Sequence, residues 1–156
     1  MKVKIKKLDP KAVIPQYAKP GDAGMDLTAV SATFDEFGNV VYHTGLAFEI
    51  PEGYVGLLFP RSSNCKKHLV LTNSVGVLDS GYRGEVTFRY RPHTQEVCVA
   101  SEIGFDTDHS SDCGVYQVGD RIGQIIILPY PQIEFEEAEE LSETERGTGG
   151  YGSSGK

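Results

Sequence analysis

Asp79 and Tyr82 stand three residues apart inside the stretch Gly76-Val77-Leu78-Asp79-Ser80-Gly81-Tyr82-Arg83-Gly84-Glu85. A carboxylate and an aromatic ring on one short glycine-rich turn make a pocket floor with an acid for water or proton chemistry and a flat surface for a ring. Glycines at 76, 81 and 84 can take positive φ and let a ligand come close to the backbone. An Asp in a turn also caps its own backbone, so this stretch alone leaves two readings open, a plain turn and a ligand floor.

Pro60-Arg61-Ser62-Ser63 places a guanidinium, two hydroxyls and free backbone amides at the end of an expected strand. That is good chemistry for an oxyanion such as phosphate, and an ordinary helix cap is the competing reading. In Gly119-Asp120-Arg121-Ile122-Gly123-Gln124, Asp120 and Arg121 read as a turn and a surface pair, while Gln124 needs a polar partner if it points inward.

The end of the chain, Arg146-Gly147-Thr148-Gly149-Gly150-Tyr151-Gly152-Ser153-Ser154-Gly155-Lys156, matches two phosphate-binding patterns. Gly147, Gly149 and Gly152 fit G-x-G-x-x-G, and Gly150, Gly155 and Lys156 fit the start of a P-loop. Both mechanisms need a strand before the glycines and a helix after them, and no helix follows here. A flexible tail is the simple reading. A tail that wraps a ligand, with Arg146 and the amides on phosphate and Tyr151 on a ring, is the functional one. Asp106, Asp108, His109, Asp112 and Cys113 do not make a metal loop: Ser111 and Gln117 replace the Gly and Glu of a calcium-binding loop, and a zinc site lacks a further Cys or His at ligand spacing.

The elements that must carry these residues are mostly strands. Val, Ile and Thr far outnumber Ala, and 18 Gly with 8 Pro cut the chain often, so an all-β domain is expected. The alternation of Val3 and Ile5 with lysines predicts an opening strand. Further strands are expected at Val40 to Tyr42, Leu46 to Ile50, Tyr54 to Phe59, Glu96 to Ala100 and Arg121 to Leu128. Leu69 to Leu71 and the alternating Val86, Phe88 and Tyr90 predict a hairpin with Gly76 to Glu85 at its tip. Consecutive Ile125, Ile126 and Ile127 suggest burial on both faces. Helix-compatible sequence is confined to Ser62 to about Lys67, which Ser62 or Ser63 could cap, and to the acidic segment near 134 to 141. Residues 101 to 114 are polar and look inserted.

At 156 residues one domain with a real core is the simplest organisation. The formal charge of -7 argues against a general nucleic-acid binder, so a polyanionic ligand must be met locally. Charge is uneven: residues 1 to 19 carry six Lys against one Asp, and 133 to 145 carry seven Glu and no cation. Three cysteines without a C-x-x-C pair fit reduced thiols. There is no apolar run of about 18 residues and no secretory leader, so a soluble cytoplasmic protein without membrane association is expected.

Taken in order, Ala23-Gly24-Met25-Asp26-Leu27, Pro60 to Ser63, Gly76 to Glu85, Gly119 to Gln124 and Arg146 to Gly155 resemble the five motifs of the trimeric deoxyuridine triphosphatases (dUTPases). The resemblance spans residues 23 to 155. It implies a jelly-roll-like distorted β-barrel over 1–133 with at most one short helix, followed by an arm and tail over 134–156 that close a neighbouring subunit's site. It implies a homotrimer, and hydrolysis of dUTP to dUMP and pyrophosphate with Mg2+ held through the substrate's phosphates. Such an enzyme keeps uracil out of DNA and supplies dUMP for thymidylate synthesis.

Carried over by position, the resemblance makes Asp79 the catalytic residue that orients and deprotonates the attacking water. Tyr82 packs under the deoxyribose, and Asn73 with the backbone from Gly76 and Val77 to Tyr82 reads uracil. Arg61, Ser62, Ser63 and Gln124 hold phosphates. From the tail, Arg146, Gly152, Ser153 and Ser154 hold the terminal phosphates and Tyr151, where the family usually has Phe, covers the base. Asp26 supports Arg61. The nearest rival is a dCTP deaminase of the same fold, but its catalytic Glu is replaced by Arg89 here. A non-catalytic nucleotide-binding module is the other, and the presence of Asp79, Asn73 and the whole tail speaks against it.

Overall fold

The computed structural model describes residues 1–93 and 114–150. Ten strands run in the order β1 (Lys4–Lys7), β2 (Met25–Thr28), β3 (Ser31–Phe34), β4 (Val40–His43), β5 (Leu46–Glu49), β6 (Tyr54–Phe59), β7 (Leu69–Leu71), β8 (Gly76–Leu78), β9 (Thr87–Pro92) and β10 (Arg121–Pro129). A five-residue 3-10 helix, Ser62–Lys66, is the only helix among the described residues, and none there is long and apolar enough to cross a membrane. The expected strand at Glu96 to Ala100, most of the insertion and its acidic residues, Cys98 and Cys113 lie outside the described residues; Cys65 is a free thiol.

All pairings are antiparallel. One sheet has the order β2-β10-β6-β8, a second β3-β4-β9-β7, and β1 pairs with β5 alone. The two larger sheets face each other: Phe88 of β9 lies where a side chain at Gly123 of β10 would go, and the Tyr90 hydroxyl donates to the Ile122 carbonyl at 2.6 Å. Leu27, Leu58, Leu78, Ile122 and Ile125 of one sheet and Tyr42, Leu69, Phe88 and Tyr90 of the other belong to a single core, as sheet packing requires. The described sheets keep open edges, so the barrel is jelly-roll-like and not closed. Ile125 is fully buried, while Ile126 and Ile127 are only partly covered.

Three local expectations are corrected. The segment from Leu69 to Tyr90 is not one hairpin: β7 pairs with β9, but β8 crosses over and pairs with β6. Ser74, at φ 59, turns the chain between the sheets, and Gly56 and Gly76 let β6 and β8 pack closely, because a Cβ on Gly76 would meet Leu58 at 3.0 Å. Gly76, Gly81 and Gly84 are not among the positive-φ residues, so at 76 and 84 it is close packing that requires glycine. Finally, Arg61 with extended backbone occupies the N-cap of the 3-10 helix and neither serine caps it, while the acidic segment forms no helix. Closely spaced like charges oppose a helix there.

Candidate active site

The phosphate-chemistry residues converge at one end of the first sheet. Gln124 of β10 stands in register with Asp26 of β2 on one side and Phe59 of β6 on the other, so the first, second and fourth motifs meet across three adjacent strands. Asp26 Oδ1 accepts from Arg61 Nε at 2.8 Å, and its Oδ2 accepts from Arg121 Nη1 at 3.1 Å. Arg61 Nη1 donates to Ser63 Oγ at 3.3 Å. Gln124 Nε2 donates to the Pro60 carbonyl at 3.1 Å, and its amide oxygen occupies the space where a side chain at Gly24 would lie. Two guanidiniums on one half-buried carboxylate leave a net positive charge, aimed by a fixed anchor. Ser62 sits exposed beside them.

Sequence reasoning missed several residues that set this geometry. Arg121 was assigned a surface pair with Asp120, yet it reaches Asp26, while Asp120 closes a turn by accepting from Gln117 N at 2.8 Å. Asn64 fixes the 3-10 helix, donating to the Leu69 carbonyl at 2.9 Å and accepting from the Tyr116 hydroxyl at 3.1 Å. Burial raises the Tyr116 phenol above its ordinary range, so it stays protonated and able to donate. The signal for Arg121 lay in its position within the fourth motif. Nothing in the local sequence joins Tyr116 to Asn64.

The Asp79 turn is built differently. Its backbone carbonyl accepts from Tyr82 N at 3.1 Å, and its carboxylate is exposed with no hydrogen bond or ion pair among the described residues. The Tyr82 ring lies over Gly84, where no side chain would fit, and its hydroxyl donates to the Glu85 carbonyl at 3.0 Å. Arg83 Nη1 donates to the carbonyls of Ser80 and Tyr82, at 2.6 and 2.8 Å. Asn73 is exposed in the preceding turn, Gly76 is buried, and Val77 projects outward from β8. Arg146 folds back on the Gly149 carbonyl at 2.9 Å. Tyr151, Gly152, Ser153 and Ser154 lie outside the described residues.

Within one chain these two halves do not meet. Leu78 is opposite Gly56, so Asp79 lies beyond the middle of β6 in one direction, while Arg61 lies past its other end. At ~3.3 Å per residue the two are roughly 20 Å apart along the sheet.

An open jelly-roll of antiparallel sheets with an anion grip at one strand end and an exposed carboxylate on a tight turn defines a β-fold nucleotide-binding protein. The chain belongs to the dUTPase family, whose model matches residues 10–101 and 108–155 and so breaks inside the expected insertion. It is 41% identical to a deoxyuridine 5'-triphosphate nucleotidohydrolase of Rhodococcus erythropolis, over 99% of this chain and 87% of that one. It is also 41% identical to the protein of the same name from Nautilia profundicola, over the whole of both chains. Among solved structures, the dUTPase of Staphylococcus bacteriophage 80alpha with dUPNHPP is similar at a TM-score of 0.78 and 31% identity, over 99% of this chain and 98% of that one.

Proposed function

We propose that this chain hydrolyses dUTP to dUMP and pyrophosphate by attack of a water that Asp79 orients and deprotonates. The observation that carries the reading is the Asp26-anchored cluster of Arg61, Ser63 and Gln124, standing in a fold whose relatives are dUTP nucleotidohydrolases. Arg61, Ser62, Ser63 and Gln124 hold the phosphates and offset the negative charge that builds as the anhydride opens, and no covalent nucleophile is needed. Backbone groups from Gly76 to Tyr82 with Asn73 read the uracil edge and reject cytosine, whose amine presents a donor where uracil presents an acceptor. Tyr82 packs under the deoxyribose.

The active unit of this reading is a homotrimer. A base must lie within hydrogen-bond reach of the water that attacks a phosphorus held by the grip, so a separation of roughly 20 Å along one sheet calls for Asp79 of one copy and Arg61 of another. Residues 1–133 form the barrel, and 134–156 an arm and tail, where Arg146, Gly152, Ser153 and Ser154 reach the terminal phosphates and Tyr151 covers the base. Mg2+ comes with the triphosphate. Such ions keep several waters and bind chiefly substrate phosphates with one or two carboxylates. A phage phi11 dUTPase carries a structural Mg(II) ion. The working compartment is the cytoplasm, and stable nucleic-acid binding is no part of the reading.

The test is a panel of nucleoside triphosphates assayed for pyrophosphate with and without magnesium. Selective, magnesium-dependent cleavage of dUTP is expected. Ammonia released from dCTP at a comparable rate would replace the reading with deamination.

A further inference from the structure

Glu85 closes the third motif, and its side chain is tied outside it. Its Oε1 accepts from the Gly45 amide at 2.7 Å, and its Oε2 lies 2.9 Å from His43 Nδ1. A carboxylate only accepts, so Nδ1 donates, and His43 Nε2 lies 3.1 Å from the Thr33 hydroxyl. Gly45 is a fixed point. It sits at φ 65 with Asp9, Ala12 and Val30 crowding the place of a Cβ, and its carbonyl accepts from Leu8 N at 2.7 Å. One residue on, Val86 N donates to the Leu46 carbonyl at 2.8 Å, and the buried Thr44 hydroxyl donates to the Val86 carbonyl at 2.7 Å. The backbone carbonyl of Glu85 receives the Tyr82 hydroxyl. Glu85 therefore links the rigid β4–β5 connection to a ring that has no other hydrogen bond from its side chain among the described residues.

We infer that Glu85, clamped by Gly45 and His43, is a positioning residue that sets the Tyr82 ring and thereby the preference for a deoxyribose over a ribose triphosphate. This rests on the proposed reading that Tyr82 packs under the sugar. A 2'-hydroxyl is excluded only if the ring surface is held within a fraction of an ångström, and the ring lies on the exposed side of the turn, where the glycine at 84 supplies contact but no lateral restraint. The hydroxyl-to-carbonyl bond supplies that restraint as long as the carbonyl does not move; the Val86 N–H of the same planar peptide ties one side of it to Leu46, and the Glu85 side chain ties the residue's other side to Gly45 and His43.

The experiment measures kcat/KM for dUTP and for UTP, together with Tm, in the full-length enzyme and in Glu85→Ala, Glu85→Gln, Tyr82→Phe, Tyr82→Ala and the double variant Glu85→Ala/Tyr82→Phe. The dUTP-to-UTP preference is expected to fall about tenfold in Glu85→Ala, the order of one lost hydrogen bond. Glu85→Gln, which can still accept from Gly45, should restore most of it. The double variant should be no worse than the poorer single one, because both break the same link. A lower Tm with unchanged preference in Glu85→Ala, or additive losses in the double variant, would overturn the inference. If Glu85→Ala does not fold, an unchanged preference in Tyr82→Phe, which lacks the hydroxyl that donates to the Glu85 carbonyl, overturns it instead. If Tyr82→Ala itself leaves the preference intact, the assignment of Tyr82 to the sugar fails, and the inference with it.

Discussion

Asp26 and Asp79 are both carboxylates in motifs, and their surroundings separate their roles. Asp26 has each oxygen engaged by a different arginine, so both of its oxygens are committed to holding guanidiniums in place. Asp79 has a free carboxylate at an exposed turn. Asp79→Asn should therefore retain dUTP binding and lose most pyrophosphate release; unchanged turnover would remove Asp79 from its role. Asp26→Asn should keep the fold but loosen the grip. Losing one charge-assisted bond costs about 1.5–3 kcal/mol, so kcat/KM should fall at least tenfold, read mainly as a higher KM. The types and order of these residues were legible in the sequence because a motif is local. The third partner, Arg121, was not, because its pairing depends on the β2–β10 register. The glycines of the third motif show the same limit: their presence was legible, but packing against Leu58 and Tyr82, not positive φ, is what requires them.

At the scale of elements, most strands could be read from alternation and turn residues to within a residue or two, since period-2 patterning is written into the chain itself. The exceptions were β2 and β3, four residues each and not expected as strands, and β8. A three-residue strand, Gly-Val-Leu, carries almost no periodic signal, and its choice of β6 over β7 or β9 is made by glycines on both strands that admit a close approach. That crossover places the Gly76 to Leu78 stretch on the same sheet as Asp26 and Gln124. Contact between the sheets is equally specific. Gly123→Ala would drive a methyl into the Phe88 ring, and overpacking of about 1–3 kcal/mol should lower Tm by roughly 5 °C in calorimetry. Tyr42, Tyr90 and Tyr116 lie at the same junction, and burial holds each phenol above its ordinary value of 10.0. The unfolded chain gives up these protons first, so it binds fewer than the native state above about pH 10, and stability falls as pH rises through that value. The share of tyrosinate absorbance that these three of the chain's eight tyrosines supply should accordingly appear together with unfolding, as a step that coincides with loss of structure.

At the scale of the whole molecule, the proposed roles of Asp79 and Arg61 require two copies of the chain. Asp79 and Arg61 are on the same sheet but on opposite sides of the middle of β6, and the sheet is too stiff to bring them together. Under the proposed homotrimer, a ring of copies would close the gap with one repeated contact, the Asp79 turn of each subunit facing the Arg61 cluster of the next. Val77, Ile133, Phe135 and Leu141 are large apolar residues left exposed in the isolated chain and available to such a contact. This arrangement makes a prediction that a self-contained site does not. Asp79→Asn and Arg61→Ala should each be nearly inactive alone. In a mixed trimer, a subunit with intact Asp79 but altered Arg61 can face one with intact Arg61 but altered Asp79, and that interface holds a complete site. Co-refolding the two inactive proteins in equal amounts should then recover a substantial fraction of wild-type turnover in the isolated mixed trimers. Sites built within one chain would give no recovery at any mixing ratio, and the trimeric site would have to be abandoned.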